Sequence, residues 1–205
     1  MNTDAIYHPA NHARVRPGAL AYVIAETGEG VTYAELDEAS NRFAQLFRSM
    51  GLQPGDGVAM LMENRVGFFE FCWGAQRAGL HYTPISTHLK ADEIAYIVED
   101  CGASLLMASA GLANEAAKLA ARLPPSTRRL SFGGEVPGFE PVEPLLEEMA
   151  AKPIPDQVAG SSMLYSSGTT GYPKGVRRAL TGEPFDAYQP RLRTMAQRYG
   201  FDQDT

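Results

Sequence analysis

Residues 166–176 contain four serine or threonine side chains, three glycines and one lysine, a composition suited to binding phosphate. Glycine has no side chain, so the backbone amides of such a loop can approach a ligand closely. Successive amides and hydroxyls form a concave set of donors for phosphate oxygens, and the Lys174 ammonium adds a point positive charge. Arg177 and Arg178 make this the most basic stretch of an acidic chain. We therefore predict a polyphosphate-binding loop.

Two common phosphate-binding motifs do not fit this loop. A Walker A loop that began at Gly168 would need glycine where the chain has Pro173, and serine or threonine where it has Gly175. The dinucleotide-binding glycine motif is excluded because residues 28–30 are followed by Tyr33 where glycine is required. A run of Gly, Ser and Thr is more often a plain flexible loop. The lysine at a set distance behind a predicted buried strand favours phosphate binding instead.

The residues before the loop alternate between helical and extended patterns, which predicts an α/β fold. Thr32 and Glu35 form a capping box that begins the first long helix. Predicted helices cover 33–50, 66–78, 91–99, 112–123 and 144–151, and predicted strands cover 58–62, 80–85, 103–108, 129–132 and 162–165. Helices between strands indicate a doubly wound, mostly parallel sheet with helices on both faces. Ligands of such sheets bind beyond the carboxyl ends of the strands, and Tyr165 ends the last predicted strand.

The chain length of 205 residues is enough for one large domain with its own core. We predict three parts: an N-terminal segment 1–30, an α/β subdomain 31–176 that ends in the phosphate-binding loop, and a C-terminal tail 177–205. Residues 133–144 are rich in Gly and Pro and predict an exposed connection within the subdomain.

Composition restricts the classes of function. The 24 acidic and 18 basic residues give a formal net charge of −6, which argues against a general nucleic-acid binder. Cys72 and Cys101 form no CxxC pair, and we predict free, buried thiols of a reducing compartment. The N-terminus lacks a signal-peptide pattern, and no apolar run approaches the roughly 20 residues of a membrane span. We therefore expect a cytoplasmic protein without an integral membrane segment.

The string Tyr-Ser-Ser-Gly-Thr-Thr-Gly-Tyr-Pro-Lys-Gly-Val at residues 165–176 resembles the signature loop of the AMP-binding, adenylate-forming family. This family contains acyl-CoA synthetases, firefly luciferase and the adenylation domains of peptide synthetases. Three flanking segments are similar to the family in order and spacing: residues 32–36, 51–58 and 78–97. The last of these is most similar to acyl-CoA synthetases. The resemblance extends from about Ala19 to Arg178, and it implies the fold of the large N-terminal domain of an adenylate-forming enzyme.

The resemblance implies an acid–thiol ligase of the long-chain fatty-acid–CoA ligase type. Such enzymes join a carboxylic acid to ATP with Mg²⁺, release pyrophosphate, and pass the acyl group from AMP to coenzyme A. In the family the signature loop wraps the β- and γ-phosphates. Carried over residue by residue, the resemblance gives Lys174 a catalytic role, the neutralisation of phosphate charge. It also assigns seven residues to nucleotide binding and none to a metal: Ser166, Ser167, Gly168, Thr169, Thr170, Gly171 and Lys174.

Several family motifs do not occur in these 205 residues. They are a Tyr-Gly-x-Thr-Glu motif, a later Gly-Asp that holds the ribose, and a C-terminal lysine that engages the reacting carboxylate. We therefore expect an N-terminal fragment that is inactive alone and that associates through apolar surface meant for the remainder. The alternative is a non-catalytic α/β module that binds a nucleotide or a partner chain. A reading frame that continues into the Tyr-Gly-x-Thr-Glu motif would separate the two.

The histidines are weaker candidates for chemistry. His8 and His12 have helical ligand spacing, but Pro9 lies between them and no third ligand is near, so we expect no metal site there. His81 and His88 have two interpretations, a route for the acyl group or coenzyme A, and the more common role at the surface or in the core.

One aromatic segment, 68–73, also has two interpretations. Phe68, Phe69, Phe71 and Trp73 are expected to form one helix face. That face either packs on the sheet or docks against another subdomain.

Overall fold

The computed structural model describes residues 8–166, 173–185 and 198–200. The helices are α1 (Pro9–Val15), α2 (Tyr33–Ser49), α3 (Phe68–Arg77), α4 (Ala91–Asp100), α5 (Ala113–Leu119) and α6 (Glu143–Glu147). The strands are β1 (Leu20–Val23), β2 (Gly30–Thr32), β3 (Gly57–Leu61), β4 (His81–Ile85), β5 (Ala103–Ser109), β6 (Arg128–Phe132), β7 (Glu140–Pro141), β8 (Ser161–Ser162), β9 (Leu164–Ser166) and β10 (Lys174–Val176). Within the described part, no helix is long and apolar enough to cross a membrane.

A six-stranded sheet in the order β7-β6-β5-β3-β4-β8 forms the centre of the fold, and every pair in it is parallel. All five residues of β3 are buried, as expected for a central parallel strand covered on both faces. Val58 and Met60 point into a core with α2 and α3. Ala59 and Leu61 point into the opposite core with α4 and α5. The predicted doubly wound sheet is therefore confirmed.

The start of α2 shows how local sequence fixes an element. Thr32 Oγ1 accepts a hydrogen bond from the Glu35 amide at 3.3 Å, and the Thr32 amide donates to Glu35 Oε2 at 2.8 Å. This is the predicted capping box. After the helix ends, Gly51 has a φ of 84°, a conformation that favours glycine. Both ends of α2 thus follow the signals in the sequence.

The contact between α2 and α3 is close enough to require glycine. A Cβ on Gly74 would lie 2.4 Å from Phe43 Cβ and 3.0 Å from the Ser40 carbonyl oxygen. We expect Gly74→Ala to lower the free energy of unfolding by about 1–3 kcal/mol, because overpacking forces the helices apart. The better helix propensity of alanine offsets up to about 1 kcal/mol of this loss. Urea unfolding measures the change. Gly18→Ala is the control, because nothing lies within 4 Å of its Cβ position, and equal stability of the two variants would contradict the prediction.

The last predicted strand, 162–165, is wrong in its extent and burial. Ser161 and Ser162 pair with β4 at the edge of the sheet, and after Met163 the chain forms an antiparallel hairpin of β9 and β10. Leu164 is 57% exposed. A strand in a two-stranded hairpin has one free face, so its residues are not buried on both sides as those of β3 are.

Other predicted elements differ in extent. The predicted helix 112–123 is a 3₁₀ turn, Ala110–Leu112, followed by the shorter α5, and the predicted helix 144–151 is the single-turn α6. The connection 133–144 is only partly exposed, because Val136 and Val142 are buried. The β1–β2 hairpin has no counterpart among the predicted elements. It joins residues on both sides of the predicted boundary at residue 30, and the three-part division stays a prediction.

The aromatic residues of α3 do not form one face. Phe71 is buried in the core against Phe43 and Phe47, whereas Phe69 is 44% exposed. Trp73 lies near His8 and Phe185 instead. Residues one and five positions apart in a helix differ in direction by about 100° and 140°, so the run could not share a face. Both cysteines are free and buried, as predicted.

Phe185, in the predicted C-terminal tail, is an anchor for the chain after β10. Its side chain is 4% exposed and makes edge contacts with the rings of His8 and Trp73. The Arg77 guanidinium lies 4.6 Å from its ring centroid, and the Ala159 amide donates to the Glu183 carbonyl at 2.9 Å. Phe185 and the Glu183 carbonyl therefore contact the α/β core, although residues 177–179 and 181–184 are exposed.

Candidate phosphate-binding site

The β9–β10 hairpin brings together the two ends of the predicted phosphate-binding loop. Ser166 and Lys174 are directly opposite each other in the register, and Ser166 Oγ lies 3.5 Å from the Lys174 carbonyl oxygen. Both side chains are exposed. The other five residues assigned to the nucleotide lie outside the described residues: Ser167, Gly168, Thr169, Thr170 and Gly171. Their assignment stays a prediction.

The hairpin follows directly from β8, the edge strand of the sheet. β8 runs parallel to β4, and the Met163 amide continues this pairing by donating to the Tyr82 carbonyl at 2.9 Å. The described contacts of the hairpin lie beside the amino ends of the parallel strands: Tyr165 binds Asp100, which precedes β5, and Arg177, which follows β10, binds Gly55, which precedes β3. Ser166 and Lys174 lie where the two strands meet the loop, and a position of that loop beyond the carboxyl ends of the sheet, where ligands of such sheets bind, stays a prediction.

The two faces of the hairpin have different environments. Side chains alternate between the faces of a strand, and the described exposures follow this rule. Ser166 and Lys174 share the exposed face with Leu164 and Val176, each 57% exposed. Tyr165 and Gly175 share the other, partly buried face. The groups expected to bind phosphate thus stand on the solvent side.

Lys174 is the free cation of this face. In the described part of the chain its ammonium has no hydrogen bond or ion pair, so it can pair with a phosphate without losing another partner. Arg177 is engaged, because its Nη2 donates to the Gly55 carbonyl oxygen at 2.7 Å. The hairpin offers hydroxyl, amide and ammonium groups but no carboxylate among its described residues. It therefore suits an anion, and we assign no Mg²⁺ ligand to it.

Tyr165 makes a contact that the sequence does not indicate. Its hydroxyl donates to Asp100 Oδ2 at 2.5 Å, which joins the hairpin to the last residue of α4. Burial, followed by this hydrogen bond to the carboxylate, raises the pKa of Tyr165 above its usual value of 10. The two residues are 65 positions apart, and no local pattern connects them.

The four histidines have different environments, and none of them forms a hydrogen bond with Ser166 or Lys174 within the described residues. His81 begins β4 and is therefore at the amino end of the sheet, whereas His88 is exposed after the same strand. His8 Nδ1 accepts from the Ala10 amide at 3.2 Å and caps α1. His12 stacks on Tyr33. Among the described residues, no group of three His, Cys, Asp or Glu side chains could hold a metal ion.

Burial of His81 predicts a loss of stability in mild acid. Burial, and then the positive charge of Arg177, lowers the pKa of His81 from 6.5. The unfolded chain therefore takes up a proton near pH 6.5 that the native chain does not take up. The contribution of neutral His81 to the free energy of unfolding is therefore fully present above pH 6.5, and it falls as the pH drops towards the native pKa. One proton gives a slope of at most about 1.4 kcal/mol per pH unit.

Urea unfolding at pH 7.5 and pH 5.5 measures this dependence. His81→Gln should reduce it, whereas substitution of the exposed His88 by glutamine should leave it as it is. His12, whose pKa is also lowered by burial and then by Arg16, accounts for a remaining slope. An unchanged slope in His81→Gln would show that the prediction is wrong.

Comparison with known proteins agrees with the fold. The sequence pattern of the family described as AMP-binding enzyme matches residues 10–179. Bos taurus long-chain fatty acid transport protein 1 is 34% identical over 170 residues, which cover 78% of this chain and 26% of that protein. Mycobacterium tuberculosis long-chain-fatty-acid–CoA ligase FadD13 is also 34% identical over 170 residues, which cover 80% of this chain and 32% of the ligase.

The solved structures agree with this finding. A Mycobacterium tuberculosis fatty acyl CoA synthetase superposes with a TM-score of 0.67 at 28% identity, over 85% of this chain and 34% of that one. The chain thus spans about a third or less of the length of these proteins. Because the family match covers most of the sequence, from residue 10 to residue 179, the chain belongs to the AMP-binding enzyme family.

Proposed function

We propose that this chain is the N-terminal, phosphate-binding part of an ATP-dependent acyl-CoA synthetase that acts on a fatty acid. The observation that carries the proposal is the pairing of Ser166 with Lys174 across the hairpin that closes the loop, in a chain that belongs to the AMP-binding enzyme family. The fatty acid is supported by two relatives whose names include long-chain fatty acids. The acid itself would be recognised largely by residues outside this chain.

The proposed reaction explains why a free cation is needed at the hairpin. A carboxylate oxygen of the acid attacks the α-phosphorus of ATP, the bond from that phosphorus to the bridging oxygen breaks, and pyrophosphate leaves. Negative charge grows on the leaving group, and a fixed ammonium stabilises it more in the transition state than in the ground state. Lys174 supplies that charge, and the Ser166 hydroxyl donates to a phosphate oxygen. In the second step the thiol of coenzyme A attacks the acyl carbonyl and AMP leaves.

Mg²⁺ and coenzyme A are the co-reactants of the proposal. Mg²⁺ would reach the site bound to the ATP phosphates, where it neutralises further charge. The described hairpin residues offer no carboxylate, so a protein carboxylate that binds this ion would come from elsewhere. No described residue is assigned to coenzyme A. Assays with each acceptor distinguish coenzyme A from a carrier-protein thiol.

The proposal extends to location and association. Two free, buried cysteines support a reducing, cytoplasmic location. The exposed apolar side chains of Leu164 and Val176 on the hairpin support association through that face. Cell fractionation tests the first statement, and sedimentation of the 205-residue chain with Leu164→Ser tests the second. Recovery in a membrane fraction, or a monomer at all concentrations, would overturn the respective statement.

The test of the function uses the gene product purified from its own cells, with its intact mass measured first. Pyrophosphate release is then followed with ATP, Mg²⁺ and acids of increasing chain length, each with coenzyme A or a carrier protein as acceptor. We expect release that depends on a fatty acid, and acyl-CoA as the product. Nucleotide binding without release on any acid would instead favour a non-catalytic nucleotide-binding module and would overturn the proposal.

A further inference from the structure

The partly buried face of the hairpin is closely packed at Gly175. Gly175 lies opposite Tyr165 in the register, and a Cβ on Gly175 would be 2.8 Å from Tyr165 Cζ and 2.9 Å from its hydroxyl oxygen. The same Cβ would be 2.4 Å from Met163 Cε. The tyrosine ring thus covers the backbone of Gly175, directly after Lys174. Any side chain at position 175 would push the ring away.

The hydroxyl of the same ring is bound to a helix. Tyr165 donates to Asp100 Oδ2 at 2.5 Å, and Asp100 is the last residue of α4. A carboxylate at a helix C-terminus is unfavourable, because that end carries partial negative charge. The last turn of α4 contains no basic residue that would compensate for it. The hydrogen bond from the Tyr165 hydroxyl stabilises the Asp100 carboxylate at this position.

The other end of β10 is held independently. Arg177 follows β10, and its Nη2 donates to the Gly55 carbonyl oxygen at 2.7 Å. Met163, which precedes β9, is buried in the core that also contains residues of α4. The strand that carries Lys174 is therefore held at two points. The Tyr165 ring packs on it at Gly175, and the Arg177 hydrogen bond holds the chain just after its end. The Lys174 ammonium is left to the solvent side.

We infer that Tyr165 and Asp100 are positioning residues for the phosphate site. Their hydrogen bond holds the ring over Gly175, and the ring fixes the position of β10, the strand that carries Lys174. Neither side chain has to touch the nucleotide. The inference rests on the proposed function, since it assumes that Lys174 meets a phosphate. Small displacements of a charged group that neutralises a leaving group are costly to the rate, because its contribution depends on prior alignment.

The test compares four variants of the active gene product: Tyr165→Phe, Asp100→Ala, Asp100→Asn and the double variant Tyr165→Phe with Asp100→Ala. Tyr165→Phe keeps the ring and loses the hydrogen bond, and we expect about a five- to tenfold fall in kcat/KM for ATP with the KM of the acid unchanged. Asp100→Ala should have the same effect. The double variant should have the same kcat/KM for ATP as either single variant, because each single substitution already removes the same hydrogen bond. Asp100→Asn keeps an acceptor and should restore activity to within about threefold of the wild type.

A second readout does not depend on catalysis. Amide hydrogen exchange of residues 164–166 and 174–176 in the 205-residue chain should be faster in Tyr165→Phe than in the wild type. Tyr33→Phe is the matched control, because Tyr33 stacks on His12 away from the hairpin, and it should change neither readout.

The outcomes separate the inference from the function on which it rests. Absence of ATP turnover in the wild type overturns the proposed function and with it the role in catalysis, while hydrogen exchange still reports whether the hydrogen bond between Tyr165 and Asp100 exists. Turnover with an unchanged kcat/KM for ATP in Tyr165→Phe and Asp100→Ala overturns the positioning role alone. Equal losses in Asp100→Ala and Asp100→Asn would also overturn it, because the charge rather than the hydrogen bond would then matter.

Discussion

Replacing Lys174 by alanine is expected to lower kcat/KM for ATP about a hundredfold in the active gene product. The ammonium lies on the exposed face of the hairpin, and within the described residues it has no partner to lose. Its removal leaves the leaving pyrophosphate without a fixed positive charge, and loss of one such preorganised group commonly costs 10²–10³ in rate. Pyrophosphate release at varied ATP concentration measures the effect.

The same variant should fold normally, which distinguishes chemistry from stability. Lys174 is exposed, so the urea midpoint of Lys174→Ala should equal that of the wild type. Lys174→Arg keeps the charge with a different shape and should recover part of the rate. Lys152→Ala removes another exposed lysine away from the hairpin and should leave pyrophosphate release unchanged. Wild-type release in Lys174→Ala would show that the assigned role is wrong.

Local signals in the sequence predict the elements that depend on neighbouring residues. The capping box of Thr32 and Glu35 is present as predicted, and the apolar run that became β3 is buried along its whole length. Each of these features needs information only from within about five residues. The order of helices and strands then restricts the sheet to the parallel, doubly wound arrangement.

The site could be predicted in part, because the loop is a contiguous motif. Its ends, Ser166 and Lys174, are brought together by the hairpin. The hairpin itself could not be predicted, since the residues before the loop have the composition of a buried strand and nothing in them shows that the chain leaves the sheet after Met163. The tether between Tyr165 and Asp100 joins positions that are 65 residues apart. Such contacts follow from packing, which a local pattern does not record.

The contacts of Arg77 likewise join residues far apart in the sequence, which a local pattern does not record. We expect Arg77→Ala to lower the free energy of unfolding by about 3–5 kcal/mol. Arg77 ends α3 and is only 3% exposed. Its Nε donates to Ser40 Oγ at 3.0 Å, its Nη1 donates to Asn41 Oδ1 at 2.8 Å, and its Nη2 pairs with Asp37. The guanidinium also lies over the Phe185 ring. Truncation leaves the partly buried Asp37 carboxylate without its cation, and breaking a buried pair by removing one partner is strongly destabilising.

A surface ion pair provides the matched control for this prediction. Arg122 pairs with Asp92 at 2.7 Å, but the two side chains are 43% and 85% exposed. Arg122→Ala should therefore cost about 1 kcal/mol or less, and the ratio of the two losses measures what burial adds. Arg77→Lys keeps the charge without the planar fork and should lie between them, because a lysine cannot make the three directed bonds at once. If urea unfolding gave Arg77→Ala and Arg122→Ala similar losses, the buried network would not be a main support of α2 and α3. The apolar core would then determine how α2 and α3 pack, and the Arg77 hydrogen bonds would add little to stability.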